Sequence, residues 1–129
     1  MRLYYALDLK NDPELIAAYE RWHQPDHIWP EIVDSIRAAG ILDLEIFRTG
    51  NRLVMVLDLP ADYSPEAKAA ADAANPRVQA WEQLMWQFQQ ALPFAQPGDK
   101  WVPMNPIFSL RDAIEYRDGN PSGEQKPHG

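Results

Sequence analysis

The chain contains no cysteine, no excess of positive charge and no long apolar run. The absence of cysteine excludes disulfides and thiolate chemistry and favours a reducing compartment, so we expect a cytoplasmic protein. The formal net charge of −7 argues against nucleic acid as a partner, because binding phosphates requires a basic surface. No apolar run approaches the roughly 20 residues that cross a bilayer, and the N-terminal segment lacks the pattern of a signal peptide. We therefore expect no membrane partner.

The sequence does contain enough apolar and aromatic residues for one well-packed domain. Its 129 residues are the usual size of a single domain. Five tryptophans and five tyrosines are many for this length. They are typical of an aromatic core and also of a pocket that binds a sugar, and the count alone does not choose between the two.

The first part of the chain predicts one strand and two helices. Apolar residues alternate over 3–9, which indicates a half-buried strand. Asp12 can cap a helix that runs to about His23, because Pro25 disfavours helical geometry just before it. A second helix is predicted over 30–39, with a glycine directly after it.

A hairpin and two further helices follow. Strands are predicted over 41–48 and 52–59, and the second is apolar on both faces, which favours a central position in the sheet. Ser64 and Asn75 each precede a proline and predict two helix starts. The second of these helices carries an apolar stripe that we expect to continue to Leu92.

The last predicted elements are an edge strand and a polar tail. The strand is predicted over 104–110, at an edge because Pro106 cannot donate to a ladder. Residues 112–129 are polar and are expected to form a tail that lacks fixed structure, outside a domain of residues 1–111. The order β-α-α-β-β-α-α-β, with each helix pair taken as one unit, predicts an α+β, ferredoxin-like split βαβ fold. We expect an antiparallel sheet with helices on one face.

Four short segments together carry a resemblance to a known family. They are Tyr19-Glu20-Arg21-Trp22-His23, Ile28-Trp29-Pro30-Glu31, Gln79-Ala80-Trp81 and Ile107-Phe108-Ser109-Leu110. In this order they resemble the L-rhamnose mutarotase family, and the likeness spans roughly residues 2–110. The resemblance implies a homodimer of the dimeric α/β barrel type. It also implies exchange of the α and β anomers of a 6-deoxyhexose, a monosaccharide, without metal or cofactor.

The resemblance also assigns roles to individual residues. His23 matches the family's catalytic histidine, Tyr19 its substrate-binding tyrosine, and Trp81 the first of two tandem sugar-binding tryptophans. The chain departs from the pattern at Leu44, where rhamnose enzymes have a tyrosine, and at Glu82, where they have the second tryptophan. We therefore expect a substrate-binding site adapted to L-fucose or L-rhamnose, with the choice of sugar left open.

The chemistry of mutarotation fits these residue types. Ring opening needs one proton removed from the anomeric hydroxyl and one delivered to the ring oxygen, and histidine can do both near neutral pH. Tyr19 and His23 are four residues apart and share a helix face. An alternative is a purely structural pair, a core tyrosine and a histidine that caps the helix. A metal site built from His23, Asp26 and His27 is disfavoured, because Pro25 breaks the helix between them.

Two other functions stay open on the sequence alone. One is a non-catalytic sugar-binding or interaction module, and the other is a cofactor-free, monooxygenase-like protein on the same barrel fold, because a fold does not fix a function. The second would need an apolar pocket. Trp29 and Trp86 are candidates for core or pocket wall. Trp101, beside Lys100 in a loop, is a candidate for covering a ligand or for a dimer interface.

Overall fold

The computed structural model describes residues 1–119 and contains the strands and helices of an α+β fold. In chain order the elements are β1 (Arg2–Leu9), α1 (Pro13–Trp22), α2 (Pro30–Ala38), β2 (Asp43–Thr49), β3 (Arg52–Asp58), α3 (Pro65–Ala74), α4 (Pro76–Trp86), β4 (Gln89–Gln90), β5 (Val102–Pro103) and α5 (Leu110–Asp118). Within these residues no helix is long and apolar enough to cross a membrane.

The strands form one antiparallel sheet in the order β2-β3-β1-β4, and β5 also pairs with β1. β1 pairs with β3, with Tyr4 opposite Val56. Because each of these two strands also has a neighbour on its other edge, β1 and β3 are the central strands. On its other edge β1 pairs with β4 through Leu9 and Gln89, and further along with β5. If β4 and β5 are taken as one interrupted fourth strand, this is the ferredoxin-like order, which confirms the predicted fold class.

The core lies between one face of the sheet and the helices. Leu9 of β1 and Leu53 of β3 pack there with buried residues of α1, α2 and α4. Side chains that alternate with these point to the opposite face, as the pleat of a strand requires. On that face Tyr4 of β1 is 43% exposed and Phe47 of β2 is also exposed. The prediction of helices on one face of the sheet is therefore confirmed.

The helix ends predicted from caps and glycines are confirmed. The carboxylate of Asp12 accepts hydrogen bonds from two backbone amides at the start of α1, at 2.9 and 3.2 Å. Ser64 and Asn75 cap α3 and α4 in the same way. Helix α1 ends at Trp22, and α2 is followed by Gly40, whose φ of 83° is the left-handed conformation that glycine adopts without strain.

The predicted extension of α4 to Leu92 is wrong. The helix ends at Trp86, and Gln89 and Gln90 pair with β1 as β4. The backbone amide of Lys10 donates to the carbonyl of Phe88 at 2.9 Å, so the chain supplies hydrogen-bond partners to the edge of the sheet. Phe88 and Leu92 are buried, as their apolar character requires, but they are not part of a helix.

The strand predicted over 104–110 is also wrong. Within this segment the ladder with β1 is confined to β5, and the backbone amide of Met104 adds one hydrogen bond to the Tyr4 carbonyl at 2.8 Å. Residues 104–109 have no regular structure. Pro103 and Pro106 lack the amide hydrogen that a longer ladder would need. Ser109 then caps α5, because its hydroxyl oxygen accepts from the backbone amide of Asp112 at 3.2 Å.

Helix α5 crosses the domain boundary that the sequence predicts between residues 111 and 112. The first part of the predicted tail is thus helical as far as Asp118. Residues 120–129 of that tail lie outside the described residues.

Candidate active site

All five site residues predicted from the sequence line one cavity between the sheet and the helices, with a volume of about 140 Å³. Tyr19 and His23 come from the end of α1, Leu44 from β2, and Trp81 and Glu82 from α4. The convergence of α1, α4 and β2 follows from the packing of both helices on the same face of the sheet.

The rest of the wall is mostly apolar. The remaining apolar lining residues are Ile28, Ile32, Ile36, Ile46, Met55, Met85 and Trp101. Two further polar residues complete the wall, Gln89 from β4 and Lys100 from the loop before β5. An apolar wall with a few polar groups is the usual composition of a small-molecule site.

A second cavity, of about 350 Å³, adjoins the first and shares Tyr19, His23 and Ile46 with it. It is bordered by an ion pair in which Arg48 Nη2 lies 3.3 Å from Glu20 Oε1. His23 thus lines both cavities, one largely apolar and one with charged groups at its border.

His23 is held by a hydrogen bond to the helix that carries it. Its Nδ1 lies 2.7 Å from the carbonyl oxygen of Tyr19. Because a carbonyl can only accept, Nδ1 carries the proton, and Nε2 has a free lone pair whenever the ring is neutral. Burial lowers the pKa of His23 below its usual 6.5, and the bond to the Tyr19 carbonyl opposes this only in part. The neutral ring, a proton acceptor at Nε2, is therefore the dominant form at neutral pH.

Tyr19 lies beside His23 as a neutral phenol. The two rings have centroids 4.3 Å apart. Burial raises the pKa of Tyr19 to about 12, although a hydrogen bond from Gln89 acts in the opposite direction. In that bond Gln89 Nε2 donates to the Tyr19 hydroxyl oxygen at 3.3 Å. The proton of the Tyr19 hydroxyl is consequently free for donation to another acceptor.

Trp81 is the centre of an aromatic cluster in the part of the cavity wall that the helices form. It is only 8% exposed, and its ring meets those of Trp29, His23 and Trp22 edge to face at 5.2, 5.6 and 6.3 Å. The guanidinium of Arg77 lies 3.9 Å from the ring centroid of Trp29 on the outside of this cluster. Trp22 and Trp29 pack against the core and thereby fix the orientation of Trp81.

Glu82 and Lys100 form a polar border to the cavity. Both also line a neighbouring depression of about 330 Å³, together with Trp86. Burial lowers the pKa of Lys100, and the carboxylate of Glu82 opposes this by favouring the ammonium form. The border therefore combines one acceptor group and one donor group that can bind hydroxyls.

Within residues 1–119, no group of three histidine or carboxylate side chains is arranged to hold a metal ion. His27 Nδ1 instead lies 2.9 Å from Asp26 Oδ1 in an exposed pair. His23 is turned toward the Tyr19 carbonyl, as described above.

Comparison with known proteins identifies the family. Residues 2–110 match the family model described as L-rhamnose mutarotase. The chain belongs to the L-rhamnose mutarotase family. Members of this family are isomerases that act on sugar anomers.

Individual relatives of this mutarotase carry two substrate names. An L-fucose mutarotase of Xanthomonas campestris pv. campestris is 56% identical over 119 residues, which are 92% of this chain and 95% of that protein. An L-rhamnose mutarotase of Jannaschia sp. is 32% identical over 108 residues, 82% of this chain and 96% of that protein.

Solved structures agree on the fold. The crystal structure of an L-rhamnose mutarotase from Formosa agariphila has a TM-score of 0.60 at 23% identity, and the match covers 85% of this mutarotase and 98% of that chain. Tetracenomycin F2 cyclase from Streptomyces glaucescens gives 0.55 at 16% identity over 85% and 96% of the two chains. At these identities the likeness concerns the fold alone.

Sequence reasoning missed Gln89 and gave Lys100 no role. Gln89 fell within the segment predicted as a continuation of α4, so nothing in the pattern indicated that it faces β1 and the core. The signal for Lys100 was its position next to Trp101, in a loop between two elements. Both residues reach the cavity because β4 and β5 join the same edge of β1.

Proposed function

We propose that this mutarotase exchanges the α and β anomers of L-fucose by acid–base-catalysed ring opening, with His23 as the catalytic residue and without metal or cofactor. The observation that carries the proposal is the state of the His23 ring. Nδ1 is bound to the Tyr19 carbonyl, and burial keeps Nε2 unprotonated in a cavity wall. This leaves Nε2 as the ring nitrogen that can exchange a proton with a bound sugar.

The proton movements of the reaction balance with one histidine and one water molecule. Nε2 takes the proton of the anomeric hydroxyl as the bond between the anomeric carbon and the ring oxygen breaks. The water molecule gives one of its protons to the ring oxygen and takes the proton of Nε2 in return, which restores the neutral imidazole. The open aldehyde rotates about its bond to the neighbouring carbon, and the same steps in reverse close the ring on the other face. Positioned acid–base catalysis of this kind contributes on the order of 10²–10⁴ in rate.

The lining of the cavity fits a 6-deoxyhexose. Such a sugar carries a methyl group in place of a hydroxymethyl group, and the isoleucine and methionine side chains of the wall offer an apolar surface for it. Trp81 also lines the cavity and offers aromatic surface on which the C–H groups of the sugar ring can pack. Tyr19 would donate a hydrogen bond to a sugar oxygen, because its own hydroxyl proton is unused.

Two positions favour L-fucose. Leu44 and Glu82 both line the cavity and replace the tyrosine and tryptophan that the resemblance assigns to rhamnose enzymes. A carboxylate accepts hydrogen bonds from hydroxyls with a directionality that an indole lacks. The L-fucose mutarotase relative is also more similar to this chain than the L-rhamnose relative, at 56% against 32% identity.

The proposal includes a homodimer in the cytoplasm. A second copy of the chain would cover the sheet face that carries Tyr4 and Phe47, both exposed. Ile107 and Phe108 are exposed in the segment between β5 and α5, and a second copy would cover them also. Large apolar side chains exposed in this way are typical of an interface. The cysteine-free composition supports the cytoplasmic location.

The deciding experiment is anomer exchange measured by saturation-transfer NMR on L-fucose, L-rhamnose and other monosaccharides. We expect exchange of L-fucose anomers to be accelerated above the spontaneous rate in proportion to protein concentration. Binding without accelerated exchange would favour the sugar-binding module, and neither binding nor exchange for any 6-deoxyhexose would defeat the proposal.

A further inference from the structure

Gln89 is a polar residue in a position where an apolar side chain would pack as well. It is 4% exposed and lies opposite Leu9 in the pairing of β4 with β1, on the core side of the sheet. Its neighbour Gln90 points to the other side and is exposed. The inward side chain lines the cavity that also holds Tyr19 and His23.

The side-chain amide of Gln89 forms a single hydrogen bond within residues 1–119. Nε2 donates to the hydroxyl oxygen of Tyr19 at 3.3 Å. Oε1 is fully buried and, within residues 1–119, it is the only buried side-chain oxygen or nitrogen with no hydrogen-bond partner. A buried acceptor without a partner is unfavourable, so Oε1 requires a donor, and the cavity that Gln89 lines is where such a donor can enter.

We propose that Gln89 is a sugar-binding residue, whose side-chain oxygen accepts a hydrogen bond from a hydroxyl group of the substrate. The terminal torsion of glutamine is broad, so a small rotation turns Oε1 toward the cavity and keeps the amide near Tyr19. The substrate class is a polyhydroxylated monosaccharide, which supplies the donor that Oε1 lacks. This inference rests on the proposed function, because it concerns the same cavity.

The contact complements the role of Tyr19. With Nε2 bound to its oxygen, the Tyr19 hydroxyl still has its proton to donate to the sugar, whereas Oε1 of Gln89 can only accept a hydrogen bond. The pair therefore presents one donor and one acceptor at fixed positions. A site built in this way discriminates against a sugar that lacks the matching hydroxyl, because a buried polar group is then left unpaired.

The first test compares Gln89→Met with Gln90→Met, a change of the same chemistry on the exposed neighbour. Dissociation constants for L-fucose are measured by NMR titration. We expect Gln89→Met to weaken binding about 10-fold or more and Gln90→Met to leave it unchanged. Equal binding by wild type and Gln89→Met would overturn the proposal.

A second test separates direct contact from an effect through Tyr19. In a Tyr19→Phe background, Gln89→Met should weaken sugar binding further, because Oε1 contacts the sugar itself. If Gln89→Met has no additional effect in that background, Gln89 only positions Tyr19 and the proposed contact is wrong. The unfolding midpoint in urea of the double variant should equal or exceed that of wild type, because both polar partners become apolar together.

A third test identifies the hydroxyl with monodeoxy analogues of L-fucose. For wild type, one analogue should bind about 10-fold more weakly than L-fucose. For Gln89→Met, that same analogue and L-fucose should bind with equal affinity. If every analogue keeps the same relative affinity in both proteins, the proposal fails. All three tests measure binding and not exchange, so a wild type that binds L-fucose without accelerating its exchange would defeat the proposed function alone.

Discussion

The Nδ1 atom of His23 donates to the carbonyl oxygen of Tyr19, one turn earlier in α1, at 2.7 Å. The bond satisfies one of the carbonyls that a helix leaves without a partner at its C-terminal end. It also fixes which ring nitrogen carries the proton, so that Nε2 is the free base. The sequence also allowed a purely structural role for His23, as a cap of its helix. The same hydrogen bond serves both roles, because it caps the helix and would prepare His23 for catalysis.

Replacement of His23 by alanine should remove most of the catalysed exchange. If His23 moves the proton, His23→Ala should lower the rate by about 10²–10⁴, and Tyr19→Phe should lower it less, because Tyr19 orients the sugar. The matched control is His27→Ala, which removes an exposed histidine paired with Asp26. Rates are measured by saturation-transfer NMR, with circular dichroism to monitor the fold.

Two outcomes would contradict that assignment. A His23→Ala protein with near-wild-type exchange would show that His23 is not the catalyst. An unfolded His23→Ala protein would show that the bond to Tyr19 is needed for the fold, and the rate of folded His23→Gln would then decide, because glutamine retains a donor but is not a general base at neutral pH.

Activity should decrease as the pH falls. Burial lowers the pKa of His23 below 6.5 in the folded protein, so Nε2 is unprotonated in most molecules at pH 6.5 and in a growing share of them above it. As the pH falls through that lowered pKa, the ring takes up a proton and can no longer accept one from the sugar. The catalysed rate per enzyme, corrected for the spontaneous reaction, should therefore approach a plateau as the pH rises above 6.5 and fall as the pH drops through the lowered pKa.

The same titration predicts a decrease in stability. Below pH 6.5 the unfolded chain binds a proton at His23 more readily than the folded chain does, so the free energy of unfolding should fall as the pH falls. In His23→Gln this contribution is absent, and the urea midpoint should depend less on pH between 6.5 and 5. An identical pH dependence in both proteins would mean that His23 does not titrate with a lowered pKa.

Leu44 and Glu82 should control the choice of sugar. We expect wild type to accelerate exchange of L-fucose anomers at least as much as that of L-rhamnose. The double variant Leu44→Tyr, Glu82→Trp restores the aromatic residues of rhamnose-type relatives and should shift the ratio of the two rates toward L-rhamnose. A wild type that clearly prefers L-rhamnose in parallel measurements would refute the assignment of L-fucose.

The chain should be a dimer of about twice 14.8 kDa in light scattering at micromolar concentration. Tyr4→Glu places a charge on the uncovered sheet face and should shift the equilibrium toward monomer. Val33→Glu is the matched control, because Val33 is similarly exposed, at 39% against 43%, but lies on α2 away from that face. A monomeric wild type, or equal effects of both variants, would argue against this interface.

Local signals in the sequence were sufficient for most of the fold. The caps at Asp12, Ser64 and Asn75 and the turn at Gly40 predicted helix ends correctly, because each acts through hydrogen bonds or backbone angles within a few residues. The alternation over 3–9 predicted β1 for the same reason. The helix stripe up to Leu92 failed, because Phe88 and Leu92 are buried by the sheet edge and not by a continuing helix.

The elements of the first 86 residues, the order of the strands and five of the residues that line the cavity could be predicted from the sequence. These predictions were possible because periodicity, helix caps and the family motifs each depend on residues that are close together in the chain. The presence of Gln89 and Lys100 in the cavity wall depends on long-range contacts, since both reach the cavity through the pairing of β4 and β5 with a strand some 80 to 100 positions earlier. The protonation of His23 was likewise decided in three dimensions, because burial, which no local pattern measures, lowers its pKa.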